Sequence, residues 1–213
     1  MTAAEIITFI EGHGFTDTPS ADKLAAINAA YTDICRLEPW PFLEASDGVA
    51  FDGTSAVPTD FPTDFRAATG VIDTRLGGVR RLVPIRHEEL LAKTDPAEPP
   101  GPPLYYYFIN KTMHFWPMPT AGYDTVIINY IRRVTKLTAV STEANILVPW
   151  EHHMAIVYGA LKYLYYQDDD PELSVGAKQL FDEEVVKMRT QEWARQYDRP
   201  DSIEVLDSFD LYD

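Results

Sequence analysis

The 213-residue sequence has a single cysteine, Cys35, so no intrachain disulfide can form and no second thiol exists for a redox or metal pair. Bases are also scarce: 18 Lys and Arg stand against 33 Asp and Glu, a formal charge of −15. Affinity for DNA or RNA comes mainly from cations that neutralise phosphates, so this balance argues against a nucleic-acid grip over most of the surface. No apolar run approaches the ~18 residues of a membrane-spanning helix. The start of the chain, Met1 to Phe15, is acidic and amphipathic, without the basic-then-apolar order of a secretory signal. The expected setting is a reducing interior or an assembly built there. Glycine-rich phosphate loops are missing too, and Gly77-Gly78 reads as an isolated turn pair.

Chemistry is equally hard to place. His152 and His153 are neighbours beside Glu151, and side chains one apart on a helix point about 100° from each other, so they cannot share a metal as a four-residue spacing allows. His87-Glu88-Glu89 lacks the second histidine of a zinc-protease helix, and no glycine-flanked serine forms a nucleophile elbow. Carboxylates are abundant, but nothing singles out a pair set across a cleft as glycoside hydrolysis needs. Tyr105-Tyr106-Tyr107-Phe108 with Trp116 have the chemistry to stack sugars, yet consecutive strand residues face both sides and read more simply as a sheet covered on both faces. The doublets Arg80-Arg81 and Arg132-Arg133 send their members to opposite faces of a strand, which makes no patch. The expectation is no catalytic residue, no metal and no cofactor.

What is present is a globular composition, 46% hydrophobic and 24% charged, which calls for a buried core. Thr2-Ala3-Ala4-Glu5 has capping-box spacing and opens a helix through Ile6, Ile7, Phe9 and Ile10 that Gly12 and Gly14 stop. Thr18-Pro19 starts a second, with proline at its first position. Its stripe of Leu24, Ile27, Tyr31 and Ile34 is bordered by Cys35, read as a core thiol, and Glu38-Pro39-Trp40-Pro41-Phe42 ends it.

The texture then changes. Short β-branched or aromatic runs appear at Gly70–Ile72, Leu104–Ile109, Met113–Trp116 and Val126–Val134, the last with Val126, Ile128 and Tyr130 on one face. Asn110-Lys111 predicts a tight hairpin turn, and His87–Lys93 a short helix. The tandem Pro58-Thr59-Asp60-Phe61 and Pro62-Thr63-Asp64-Phe65 predicts a pinned loop whose phenylalanines plug the core; the residues between Asp47 and Pro58 fit no pattern.

From Pro149 the chain reads as helix again, with a seam of Trp150, Met154, Val157, Leu161 and Leu164. Asp168-Asp169-Asp170-Pro171 breaks it before a last helix to about Gln196, whose expected core face is Leu173, Ala177, Leu180, Phe181 and Met188. Val186 and Trp193 lie off that face and predict a second neighbour. Residues 198–213 hold six acids and one base, a third of the net charge, while Ile203, Leu206, Phe209 and Tyr212 recur every third residue. That is more apolar content than a solvating terminus needs and reads as a segment that orders on a partner.

The fold class is thus α+β: an antiparallel helical bundle (1–42 and 149–197) with an inserted small antiparallel β-sheet region (43–148) and an extended acidic tail (198–213). The order of its features resembles the head-to-tail adaptor, or connector, proteins of tailed bacteriophages. The resemblance rests on the two helices ending in Trp40-Pro41-Phe42, on Phe61-Pro62-Thr63-Asp64-Phe65-Arg66, on Pro100-Gly101-Pro102-Pro103 before a Tyr-rich strand, on Phe115-Trp116-Pro117-Met118-Pro119, on Ile127-Ile128-Asn129-Tyr130, and on two closing helices with an acidic break.

It implies a structural virion protein of the head-tail neck, assembled in the host cytoplasm. Such proteins form a ring, commonly a dodecamer, that encloses exiting DNA without sequence-specific binding. The implied partners are the portal, tail or neck proteins and further copies of the chain, with no membrane. The resemblance also implies a portal-docking role for the tail, here Ile203, Val205, Leu206, Phe209, Leu211 and Tyr212. Val186 and Trp193 are candidates for the subunit interface, and Phe61, Asp64 and Phe65 for loop contacts. The alternatives are a glycan-degrading virion-associated enzyme and a small homo-oligomeric binding module.

Overall fold

A computed structural model describes residues 1–75, 78–93 and 99–197. The described residues divide into two compact units, one of residues 1–43 and 134–197 and the other within residues 44–133. Val134 to Val148, expected within the β insertion, belongs to the helical unit.

In the helical unit, α1 (Ala3–Gly12) starts on the expected capping box: the Glu5 amide donates to Thr2 Oγ1 at 3.2 Å and the Thr2 amide donates to Glu5 Oε2 at 2.7 Å. Ala3, Ile6 and Ile10 are buried. Helix α2 (Ser20–Leu37) begins one residue later than expected, with Pro19 as its cap, and buries Ile27, Tyr31, Ile34 and Cys35. It stops at Glu38, which is extended as residues before proline prefer to be. The buried Trp40 folds back and donates its indole N–H to Ile34 O at 2.6 Å.

A 3-10 turn, Trp150–His152, precedes α4 (His153–Gln167). Trp150, expected in the helix seam, lies in that turn and is 67% exposed. Helix α4 packs on α1, α2 and α5 (Pro171–Tyr197), so its burial is broader than one seam and takes in Ala155, Ile156 and Ala160 as well as Val157, Leu161 and Leu164. Its approach to α2 depends on Gly159, where a Cβ would stand 2.7 Å from the Ala30 methyl. Asp170 caps α5 by accepting from the Leu173 amide.

On α5 the buried side is Ala177, Phe181, Val185, Met188 and Glu192. Leu173 and Leu180, expected in that face, are exposed. At about 100° per residue they lie on its flank, where no described neighbour covers them.

The β unit holds two sheets in place of the one small antiparallel sheet expected. The first has the order β1-β7-β2-β3, with β7 (Tyr123–Arg132) between β1 (Glu44–Phe51) and β2 (Phe65–Asp73), all antiparallel, and β3 (Arg80–Arg81) at the edge. The second has the order β4-β5-β6, and β4 (Val83–Pro84) runs parallel to β5 (Tyr105–Ile109). Helix α3 (His87–Lys93) lies between β4 and β5 in the chain.

The turn from β5 to β6 (Thr112–Trp116) is Asn110-Lys111, both in the left-handed region at φ 48° and 69°, as a two-residue hairpin requires. Val49, Phe51, Val71, Leu82, Tyr106, Met113, Phe115, Val126, Ile128 and Tyr130 from the two sheets form one core.

Strand β1 passes through the stretch that fitted no pattern. Ser46, Asp47 and Gly48 are poor strand formers, and the strand exists because β7 supplies its ladder. A bulge at Ala50 takes that residue out of the pairing. Its amide donates to Asp60 Oδ1 at 2.7 Å and its carbonyl accepts from the Thr59 amide at 3.0 Å, so the bulge pins the first repeat of the tandem loop.

Candidate partner-binding surfaces

The tandem loop leads into a groove of the β unit. Phe61 and Phe65 pack ring on ring at 4.8 Å, and Phe65 continues to Phe108 at 5.9 Å and to Tyr130 at 5.6 Å. The two phenylalanines pack against the core while staying half-buried, so they form a wall as well as a plug. The groove has a volume of about 950 Å³, with Phe61, Phe65, Pro84, Tyr106 and Phe108 among its apolar lining. Its cations are Arg66 on β2, Lys111 in the hairpin turn and Arg133 just after β7, and among the described residues no carboxylate lines it. Residues far apart in sequence thus make the basic patch that the arginine doublets, read as neighbours along a strand, do not. The sequence signal for it was a lysine in a turn that favours glycine.

Asp64 faces a different task. Its Oδ1 lies 2.9 Å from the Tyr130 hydroxyl, which lies 2.7 Å from Asp47 Oδ2. A phenol has one proton to donate, so it serves the two carboxylates in alternation or one carboxyl donates to it. Burial first, then these two carboxylates, push the Tyr130 phenol far above its ordinary range. Asp64 therefore acts inside the unit, as does Asp73, which is buried and accepts from the Tyr123 and Thr125 hydroxyls.

His87, Tyr107 and His114 stack at 5.2 and 5.3 Å, and burial with the nearby His87 charge lowers the His114 pKa. His153 is buried with Nε2 2.9 Å from Val148 O, so Nε2 carries the proton, and Nδ1 accepts from the Met1 amino group at 2.9 Å. Burial leads the effects that lower its pKa. His152 lies 3.5 Å from the buried Glu192. Among the described residues no group of three or more His, Cys, Asp or Glu is arranged to hold a metal ion.

On α5, Val186 is 56% exposed and Val175 57%. At about 100° per residue they fall on one strip with Trp193. Trp193 is half-buried and donates its indole N–H to Glu38 Oε2 at 3.2 Å, where Arg189 also pairs. The tail residues Ile203, Val205, Leu206, Phe209, Leu211 and Tyr212 lie outside the described residues.

No helix among the described residues is long and apolar enough to cross a membrane. A search of curated proteins found no match. The family model described as SU10 adaptor protein matches residues 1–204, through both units and into the acidic tail. The chain therefore belongs to the SU10 adaptor family, a phage head-to-tail adaptor family of structural virion components.

Proposed function

We propose that the protein closes into a ring between portal and tail and surrounds the channel through which DNA leaves the head. The family match over residues 1–204 carries this reading. The chemistry of the chain supports it. A ring needs a heterologous interface, one patch meeting a different one, and the exposed Val175 and Val186 with the half-buried Trp193 offer an apolar strip for one side of it. With a formal charge of −15 per copy, a wall around DNA holds few cations to trap phosphates, so the duplex passes without being gripped.

Residues 201–213 carry the portal contact: Ile203, Val205, Leu206, Phe209, Leu211 and Tyr212 supply the apolar anchors. Deleting residues 201–213 is expected to leave the circular dichroism spectrum unchanged and to abolish co-sedimentation with purified portal rings. Normal co-sedimentation of the truncated protein would sink the portal assignment.

A further inference from the structure

We propose that the aromatic, cation-rimmed groove of the β unit holds the acidic C-terminal segment of a second copy of the chain. The inference rests on the ring reading, which sets copies side by side and so presents each tail to a neighbour at high effective concentration.

Charge is the first argument. Asp and Glu outnumber Lys and Arg 33 to 18 along the chain. Among its described lining residues the groove reverses that balance, with Arg66, Lys111 and Arg133 and no carboxylate. A segment that complements it must be acidic and carry apolar side chains.

Residues 198–213 meet both terms. Asp198, Asp201, Glu204, Asp207, Asp210 and Asp213 recur every third residue, in step with Ile203, Leu206, Phe209 and Tyr212. A chain bound with three residues per turn aligns its acids on one ridge and these apolar side chains on another. An aromatic-lined groove offers apolar surface on which such side chains can be buried. Phe61, Phe65 and Phe108 face the apolar ridge, and the cations face the acids. The groove keeps the segment until the portal takes it, so each tail has a seat in the free adaptor and another in the neck.

The test uses the full-length protein with the photo-crosslinker p-benzoylphenylalanine at position 209. One half of the sample is heavy-isotope labelled and lacks the crosslinker; the other half is unlabelled and carries it. Mass spectrometry is expected to find position 209 joined to heavy peptides containing residues 61–68 or 105–111. Lys111→Glu with Arg133→Glu should lower that yield at least tenfold, and Asp207→Lys with Asp210→Lys should restore it.

Should the groove variant misfold by circular dichroism, ionic strength replaces it. Raising salt from about 0.05 to about 0.5 M should cut the crosslink yield severalfold, because exposed charge pairs are screened. Crosslinks within one copy, crosslinks to another surface, absence of crosslinks, or a yield indifferent to both charge swap and salt would each overturn the proposal. Portal co-sedimentation is read separately: its loss with the groove crosslinks intact removes the portal reading and leaves this one standing.

Discussion

His153 shows how a buried titratable side chain ties stability to pH. Its ring is held neutral between the Val148 carbonyl and the Met1 amino group, and burial lowers its pKa below the ordinary 6.5. A histidine whose folded pKa is depressed binds more protons when unfolded, so its contribution is fully present above about pH 6.5 and is lost as pH falls through the folded value. His114 has the same sign. The thermal midpoint is therefore expected to drop between pH 7 and pH 5, with a smaller drop in His153→Gln, measured by calorimetry at constant ionic strength. A midpoint that rises on acidification, or an unchanged slope in the variant, would refute the assignment.

Among the elements, α4 carries the tightest constraint. It is packed on α1, α2 and α5, and Gly159 lets it approach α2 closely. A methyl there would meet the Ala30 methyl at 2.7 Å and the Phe181 ring at 3.1 Å. Alanine is the better helix former by about 1 kcal/mol, while overpacking costs about 1–3 kcal/mol, so the clash outweighs propensity. Gly159→Ala is expected to lower stability by up to about 2 kcal/mol in urea titration. Gly159→Ala combined with Ala30→Gly should recover the part due to the clash, and failure of that pair to recover any stability would assign the loss elsewhere.

At the scale of the whole molecule, the proposed ring requires a surface that meets another copy. Val186→Asp places a charge in the exposed strip of α5 without touching the buried side of Ala177, Phe181, Val185 and Met188. Exposed substitutions usually change stability by about 0.5 kcal/mol or less. The variant is expected to keep its thermal midpoint and to lose rings in negative-stain images and analytical ultracentrifugation. Rings at the usual protein concentration would remove Val186 from the interface.

Much that is local was set by the amino-acid sequence alone: the capping box at Thr2 and Glu5, the Glu38-Pro39 stop, the Asn110-Lys111 hairpin, the alternation along β7 and the acidic break before α5. Each is decided within a few residues by backbone donors, proline geometry or side-chain period. Family membership was legible as well, in the order of such features. Tertiary structure decided the rest. Strand β1 forms where β7 offers a ladder, Trp150 and Leu180 face solvent because no described neighbour covers them, and β4 pairs in parallel with β5. The groove needs Phe65 and Arg66 from β2, Lys111 from a hairpin and Arg133 from just after β7. These positions lie tens of residues apart, and their charges act together only at the short range that folding creates.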